Sequence, residues 1–308
     1  MTGDEVLRIT GLEKSFGAVR ALNAVDLSVR SGQLTGLIGS DGAGKTTLIR
    51  IVAGLLRTDR GAVEFPAVRT AGRTPGRPAI GYLSQGFSLY GDLTIDENMR
   101  FFSELHGFRR YETRSTELLE LVGLAPFRRR RAGRLSGGMK KKLALACALV
   151  HGPDLLLLDE PTTGVDPISR REFWGILDRL RQDGISVLLS TPYFDEAERC
   201  DQVVLMHAGD VLDRGTPKAV IGALTGVILE VVCDPVRRAR ATLADNRWID
   251  EVQLYGDRLH VVSRSIEIEE LREVVRDELG VADVEITALQ QVTPGIENVF
   301  ISRMKEAG

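Results

Sequence analysis

Long apolar runs, paired cysteines and net charge are what this sequence has least of, and each shortage closes off a class of protein. No apolar stretch approaches the about eighteen residues that cross a bilayer as a helix, so any membrane role calls for a separate partner. Met1-Thr2-Gly3-Asp4-Glu5 lacks the basic-then-apolar order of a secretion signal. Cysteine occurs only at Cys147, Cys200 and Cys233, odd in number and far apart, with neither metal-ligand nor redox spacing, which suits a reducing cytosol. The net charge of -3, with both signs abundant, gives no reason to expect nucleic acid as a partner. A length of 308 residues points to about two domains, each large enough for its own core.

What the chain does have is the segment Gly39-Ser40-Asp41-Gly42-Ala43-Gly44-Lys45-Thr46-Thr47. Residues 34–38 read as a buried strand and residues 48–53 as the following helix, so the glycines fall where a strand turns sharply into a helix. This is the P-loop arrangement. Glycines let the backbone curl until successive N–H groups point at a phosphate chain, and the helix N-terminus adds its partial positive charge. Lys45 then reaches the β- and γ-phosphates of a nucleotide, and the Thr46 hydroxyl holds Mg²⁺.

Upstream, residues 6–9 and 24–29 alternate as half-buried strands, with Lys14-Ser15-Phe16-Gly17 as the turn between them. Phe16 near a loop tip either stacks on an adenine base or fills the core as an ordinary phenylalanine. Downstream, residues 61–65 form another strand and residues 69–78, rich in Gly, Pro, Arg and Thr, a mobile surface loop. A strand over residues 79–84 ends at Gln85, whose amide either reaches the metal or the attacking water or is solvated in a loop. From residue 87 to 134 the pattern is helical. Thr94 and Glu97 form a capping box ahead of Met99, Phe102 and Leu105, residues 116–122 suit a second helix, and the run Arg128 to Arg131 reads as a solvated face with no ligand.

Leu135-Ser136-Gly137-Gly138-Met139 leads into a helix over residues 140–150 and makes a second anion site, because the first N–H groups of a helix have no partner inside it. Lys140, Lys141 and Lys142 stand against the helix dipole there, either answering a nearby anion or acidic partner or lying on an exposed, screened face. Four leucines after Asp154 suit a central parallel strand, and two carboxylates close it. Asp159 is placed to hold the water shell of Mg²⁺ and Glu160 to polarise the water that attacks the γ-phosphate; the plainer alternative is a cap for the next helix.

In their order, Lys45-Thr46, Gln85, Leu135-Ser136-Gly137-Gly138, Asp159-Glu160 and Asp166 resemble the P-loop, Q-loop, signature, Walker B and D-loop of the ATPase subunit of an ABC transporter, over roughly residues 5 to 218. The chain is similar to drug-exporting ATPases of the daunorubicin-resistance type and to the tandem ATPase subunit of bacterial multidrug exporters, where Asp-Gly-Ala-Gly-Lys-Thr-Thr, Ser-Gly-Gly-Met and Val-Asp-Pro-Ile-Ser-Arg-Arg recur. The resemblance implies an α/β P-loop NTPase: a RecA-like core with an antiparallel β subdomain and a helical insertion at about residues 87–150. It implies ATP and Mg²⁺ as ligands, with Thr46, Gln85 and Asp159 at the metal and Glu160 and Gln85 catalytic. Two such ATPases pack head to tail in the family, so that Ser136, Gly137 and Gly138 of one face the γ-phosphate held by Lys45 of the other. Membrane-spanning permease subunits, a second ATPase subunit of the same or a different kind, and a cytoplasmic place on the inner face of the cell membrane are implied with it. The transported substrate would meet the membrane subunits, so no residue here reads it.

One position departs from the family. After the strand at residues 185–189 a histidine usually contacts the γ-phosphate, and here Pro192 occupies that switch position, with neither side-chain donor nor backbone N–H. Of the four histidines, His106, His151, His207 and His260, none lies in this loop; His207 follows a further strand, residues 202–206, and reads as a turn residue. Beyond Pro217 the order becomes strand, helix, two strands, helix, strand, at residues 227–232, 235–244, 252–255, 259–262, 268–279 and 282–288. That suits a small α+β ferredoxin-like domain, giving an ATPase domain at residues 1–218 and an accessory domain at 219–308. Residues 292–300 resemble the tail of drug-exporter ATPases. Two other readings stand beside the transport motor: an ATP-bound dimer that hydrolyses little, because of Pro192, and a soluble ABC ATPase acting on ribosomes or DNA, for which neither a tandem cassette nor a coiled-coil insertion is visible.

Overall fold

The computed structural model describes residues 4–66, 79–86, 89–107 and 111–307. The surface loop read at residues 69–78, the first three residues and Phe87 lie outside them. The chain divides into two units, Met1–Arg214 and Gly215–Gly308, four residues earlier than the composition change suggests.

Two long antiparallel strands open the first unit, β1 (Glu5–Phe16) and β2 (Val19–Arg30). Their pairing runs out to Phe16 opposite Val19, so Lys14, Ser15 and Phe16 are strand and the turn is Gly17-Ala18. The alternating pattern stops before the pairing does because the strand tips are exposed on both faces. β3 (Leu34–Ile38) passes into α1 (Lys45–Val52), and β4 (Arg60–Glu64) joins the opening pair in the order β2-β1-β4. After β5 (Ile80–Leu83) come α2 (Ile95–Leu105), α3 (Glu112–Leu121) and α4 (Gly137–Leu149), the helical insertion. The chain then alternates through β6 (Leu155–Asp159), α5 (Pro167–Gln182), β7 (Ser186–Thr191), the short α6 (Phe194–Ala197), β8 (Gln202–His207) and β9 (Asp210–Gly215). His207 is thus the last residue of a strand and not a turn residue.

The main sheet has the order β5-β6-β7-β3-β8-β9, and its first five strands run parallel. All five residues of β6 are buried, as expected of an interior parallel strand covered on both faces. Leu7, Ile9, Leu12 and Val25 of the antiparallel sheet share one core with Leu48 and Ile49 of α1 and with Leu157, Leu188 and Met206 of the parallel sheet. Burial of each such side chain contributes about 1.5–3 kcal/mol, and it fixes α1 against both sheets. In the insertion, the capping box is present: Glu97 N–H donates to Thr94 Oγ1 at 3.2 Å and Thr94 N–H to Glu97 Oε2 at 2.7 Å. Arg128 is only half solvated, since its Nε donates to Asp96 Oδ1 at 2.8 Å.

The second unit holds α7 (Pro217–Gly222), β10 (Val227–Asp234), α8 (Val236–Ala244), β11 (Glu251–Tyr255), β12 (Arg258–Ser263), α9 (Ile268–Val281), β13 (Glu285–Gln291) and α10 (Ile296–Ala307). Its antiparallel sheet, β11-β12-β10-β13, has the ferredoxin-like arrangement. Leu229, Val231 and Val261 pack with Leu243 of α8 and Val275 of α9. Glu251 and Gln253 meet α10 instead: Ser302 Oγ donates to Glu251 Oε1 at 2.6 Å and Asn298 Nδ2 to Gln253 Oε1 at 2.9 Å. Residues 292–300 carry no helix signal in the sequence, and α10 buries Ile296, Val299 and Phe300 together with the polar Asn298 and Ser302. No helix among the described residues is long and apolar enough to cross a membrane.

Candidate active site

The register of the parallel strands brings the motifs to one edge. Ile38, the residue before Gly39, pairs with Thr191, the residue before Pro192, while Asp159 pairs with Ser190. The Gly39–Thr47 segment, Glu160 and Pro192 therefore all leave the sheet at the carboxyl ends of adjacent strands, where open α/β sheets bind their ligands.

In the first of these segments, Gly39 and Gly44 are dictated by packing. A Cβ on Gly39 would run into the Met206 carbonyl, and one on Gly44, whose φ is +102°, into the Ala21 carbonyl. Ser40, Asp41 and Gly42 are exposed, Ala43 is buried and Thr47 is half-buried in the first turn of α1. Lys45 is 3% exposed, and its Nζ donates to the carbonyls of Gly39 at 2.6 Å and Ser40 at 2.9 Å. Burial lowers its pKa, against the fields of Glu160, Asp41 and Asp159, which raise it. A buried ammonium whose hydrogen bonds among the described residues go to neutral carbonyls at the mouth of a helix is suited to anionic oxygen, which makes a stronger charge-assisted bond.

Next to it, Thr46 Oγ1 and Ser190 Oγ each donate to Asp159 Oδ1 at 2.8 Å. The other oxygen, Asp159 Oδ2, is buried with no hydrogen-bond partner among the described residues. A bare buried carboxylate oxygen is costly unless something satisfies it. A hydroxyl and a carboxylate are the hard oxygen donors that Mg²⁺ takes when phosphates and water supply the rest of its shell, so Thr46 and Asp159 fit the ion. Glu160 has φ +48°, a left-handed conformation that a non-glycine residue adopts only under constraint. The constraint is visible: its N–H donates to Ser190 Oγ at 3.0 Å, and its Oε2 accepts from Gln85 Nε2 at 2.9 Å and Thr163 Oγ1 at 3.2 Å. Gln85 therefore rests on the Glu160 carboxylate and makes no described contact with Asp159 or Thr46.

Among the described residues, the remaining predicted residues make no side-chain hydrogen bond to that cluster. Ser136 is the N-cap of α4, accepting from Met139 N–H at 3.3 Å, so Gly137 and Gly138 lie inside the first turn and the helix starts three residues before the sequence pattern suggests. A Cβ on Gly138 would overlap the Ser169 side chain, which sets the start of α4 against the start of α5. Asp166 caps α5, accepting from Ile168 N–H at 3.1 Å and Ser169 N–H at 2.9 Å. Among the described residues no hydrogen bond joins Ser136, Gly137 or Gly138 to Lys45. Phe16, half exposed with Lys14 Nζ 5.6 Å from its ring centre, ends β1 and sits in no turn. Pro192 is half-buried directly after β7.

Sequence reasoning missed two polar groups beside these. Lys141, read with its neighbours as answering a nearby anion or acidic partner or as lying on a screened face, is 3% exposed and donates to the Gln85 carbonyl at 2.9 Å. Its position with Gly138, Leu145 and Ala148 on one buried stripe of α4 was the available signal. Glu196 is 1% exposed and accepts from Thr162, Arg170, Trp174 and Thr191; nothing in its local sequence distinguishes it from Glu198.

The family model for ABC transporters matches residues 22–163. The Streptomyces coeruleorubidus daunorubicin resistance ATP-binding protein DrrA2 is 35% identical over 96% of this chain and 94% of its own length. The chain belongs to the ABC transporter ATPase family. The probable multidrug ABC transporter ATP-binding protein YbhF of Escherichia coli K12 is 39% identical over 99% of the chain, which spans about half of that relative, 53% of its length. A solved structure of an ATP binding subunit of an ABC transporter superposes with a TM-score of 0.62 at 32% identity, covering 71% of this chain and 92% of that one. The fold is accordingly that of the ABC ATPase cassette, a P-loop NTPase, in the first unit.

Proposed function

We propose that this chain is the ATP-hydrolysing subunit of a membrane exporter of the multidrug type, peripheral on the inner face of the membrane and working as one of two paired cassettes that drive separate permease subunits. The observation that carries this reading is the connected set Thr46–Asp159–Ser190–Glu160–Gln85 at the sheet edge, with the buried ammonium of Lys45 beside it. Lys45 exchanges its two carbonyl partners for the β- and γ-phosphate oxygens of ATP, and the first-turn N–H groups of α1 bind the same chain of phosphates. Thr46 and Asp159 would hold Mg²⁺, which would supply positive charge against the phosphates. Glu160, kept in place by Gln85 and Thr163, polarises the attacking water as general base. Ser136, Gly137 and Gly138, which make no hydrogen bond to Lys45 of their own chain among the described residues, serve the nucleotide of the partner cassette, so ATP joins the two subunits and its cleavage lets them part. The descriptions of the two relatives, one a multidrug transporter protein and one a daunorubicin resistance protein, support export over import.

Pro192 favours a second reading for this chain's own site, an ATP-holding site with slow cleavage, paired with a different, histidine-containing cassette. The test takes two variants. Lys45→Ala should abolish Mg·ATP binding or turnover, and unchanged affinity and rate would remove the central claim. Glu160→Gln, by keeping ATP uncleaved, should trap a dimer seen by light scattering with ATP and not with ADP; monomer only, with the natural partner present, would overturn the paired-cassette model.

A further inference from the structure

Three consecutive lysines follow Gly137-Gly138-Met139 in α4, and they behave differently. Lys142 pairs with Glu172 of α5, Lys140 is half-buried, and Lys141 is 3% exposed. The Lys141 ammonium lies 2.9 Å from the backbone carbonyl of Gln85 and 3.5 Å from that of Glu160. These two residues are 75 apart in sequence and are joined a second time by their own side chains, at 2.9 Å. Burial lowers the pKa of Lys141, while the carboxylates of Asp159 and Glu160 raise it. An ammonium has three donors on a flexible stem, so one side chain can pin carbonyls from two different segments. A methionine would fill the same space and pin neither.

We propose that Lys141 is a positioning residue for hydrolysis, pinning the backbone of Gln85 and Glu160 so that the Gln85 amide meets the Glu160 carboxylate, and tying that pair to the helix that begins at Ser136. The inference rests on the reading of Glu160 as the general base. Gly138 and Lys141 are one turn apart on α4, so the turn that faces the partner's nucleotide also carries the cation that holds this chain's own catalytic pair. A shift of α4 on meeting the partner's ATP is thereby passed to Glu160 through a single side chain.

The experiment uses the full chain with Lys141→Met and Lys141→Gln, alone and combined with Gln85→Ala. In the nucleotide-free protein, hydrogen exchange at residues 84–86 should speed up by about tenfold or more in Lys141→Met, with the core strands of the first unit unchanged. Affinity for a fluorescent ATP analogue with Mg²⁺ should stay within about threefold, kcat should fall by about tenfold or more, and Lys141→Gln, which keeps a donor, should regain part of the loss. In the Gln85→Ala background, Lys141→Met should cost less than about twofold further, because the two act through one contact. Unchanged exchange at residues 84–86, or losses that multiply in the double variant, would overturn the proposal. Should the parent chain hydrolyse no ATP with its natural partner present, the hydrolase reading falls, and the exchange measurement still decides whether Lys141 holds the Gln85 segment.

Discussion

Replacing Glu196 tests how far the switch loop and the start of α5 depend on one buried carboxylate. Its Oε1 accepts from Thr162 Oγ1 at 2.7 Å, Arg170 Nε at 2.6 Å and Trp174 Nε1 at 3.0 Å, and its Oε2 from Thr191 Oγ1 at 2.6 Å. Arg170 also holds Asp195 through both carboxylate oxygens at 2.8 Å and lies over the Tyr193 ring at 4.5 Å, so Glu196→Ala does not strand the guanidinium completely. The buried Trp174 and Thr162 donors do lose their acceptor, at about 1 kcal/mol or more each, and with the lost ion pair the cost reaches about 3–5 kcal/mol. Glu196→Gln keeps one carbonyl for the three Oε1 donors and turns its amide toward Thr191, whose hydroxyl oxygen has room for a second donor beside Tyr193 N–H. That variant should cost only about 1–2 kcal/mol, the loss of charge opposite Arg170. The chain has two tryptophans, Trp174 and Trp248, one in each unit, so a Trp248→Phe background makes Trp174 emission a reporter of the first unit alone. With a urea slope of about 3 kcal/mol/M, the midpoint should fall by about 1–1.7 M for alanine and by under about 0.7 M for glutamine. An alanine variant within about 1 kcal/mol of the parent, or a glutamine variant as costly as alanine, would refute the reasoning.

Pro192→His should raise single-turnover hydrolysis at this chain's P-loop, in the complex with its natural partner, by about a hundred- to a thousandfold, the inverse of deleting one preorganised donor. Equal rates would show that Glu160 needs no help from this position. The second unit should lose stability in acid. Burial pushes the Glu251 and Glu230 carboxyls up, but bonds from Ser302 and Gln253 to the first, and from Gln290, His260 and Arg258 to the second, outweigh it and leave both below the ordinary 4.5. Burial holds His260 below 6.5, against the bond to Glu230. All three folded values lie under the unfolded ones, so their stabilisation is whole above about pH 6.5 for His260 and about pH 4.5 for the carboxylates, and is lost as pH falls through those ranges. Trp248 emission followed through urea titrations from pH 7.5 down to 3.5 checks this, and a midpoint that rises on acidification contradicts it.

Local pattern carried most of the cassette. A strand, a glycine turn with Lys45-Thr46 and a helix are contiguous, and so are the four leucines before Asp159-Glu160 and the Thr94–Glu97 capping box; each is a short-range constraint that side-chain periodicity and backbone sterics express within about ten residues. The ferredoxin-like order of the second unit was legible for the same reason. What tertiary structure alone decided is which polar residues are buried and what they touch. Lys141 and Lys142 are neighbours in a run of like residues, yet one is enclosed by carbonyls from Gln85 and Glu160 and the other answers an exposed acid. Glu196 gathers donors from residues 5 to 34 positions away, and the Glu160 backbone turns left-handed because Ser190, on the paired strand, holds its N–H. The tail helix α10 is not legible locally because the buried Asn298 and Ser302 interrupt its apolar face and their partners, Gln253 and Glu251, lie 45 and 51 residues upstream. Periodicity records which face of a segment is apolar; the cost of burying a charge depends on acceptors that only the assembled fold brings within 3 Å, and no local pattern encodes that distance.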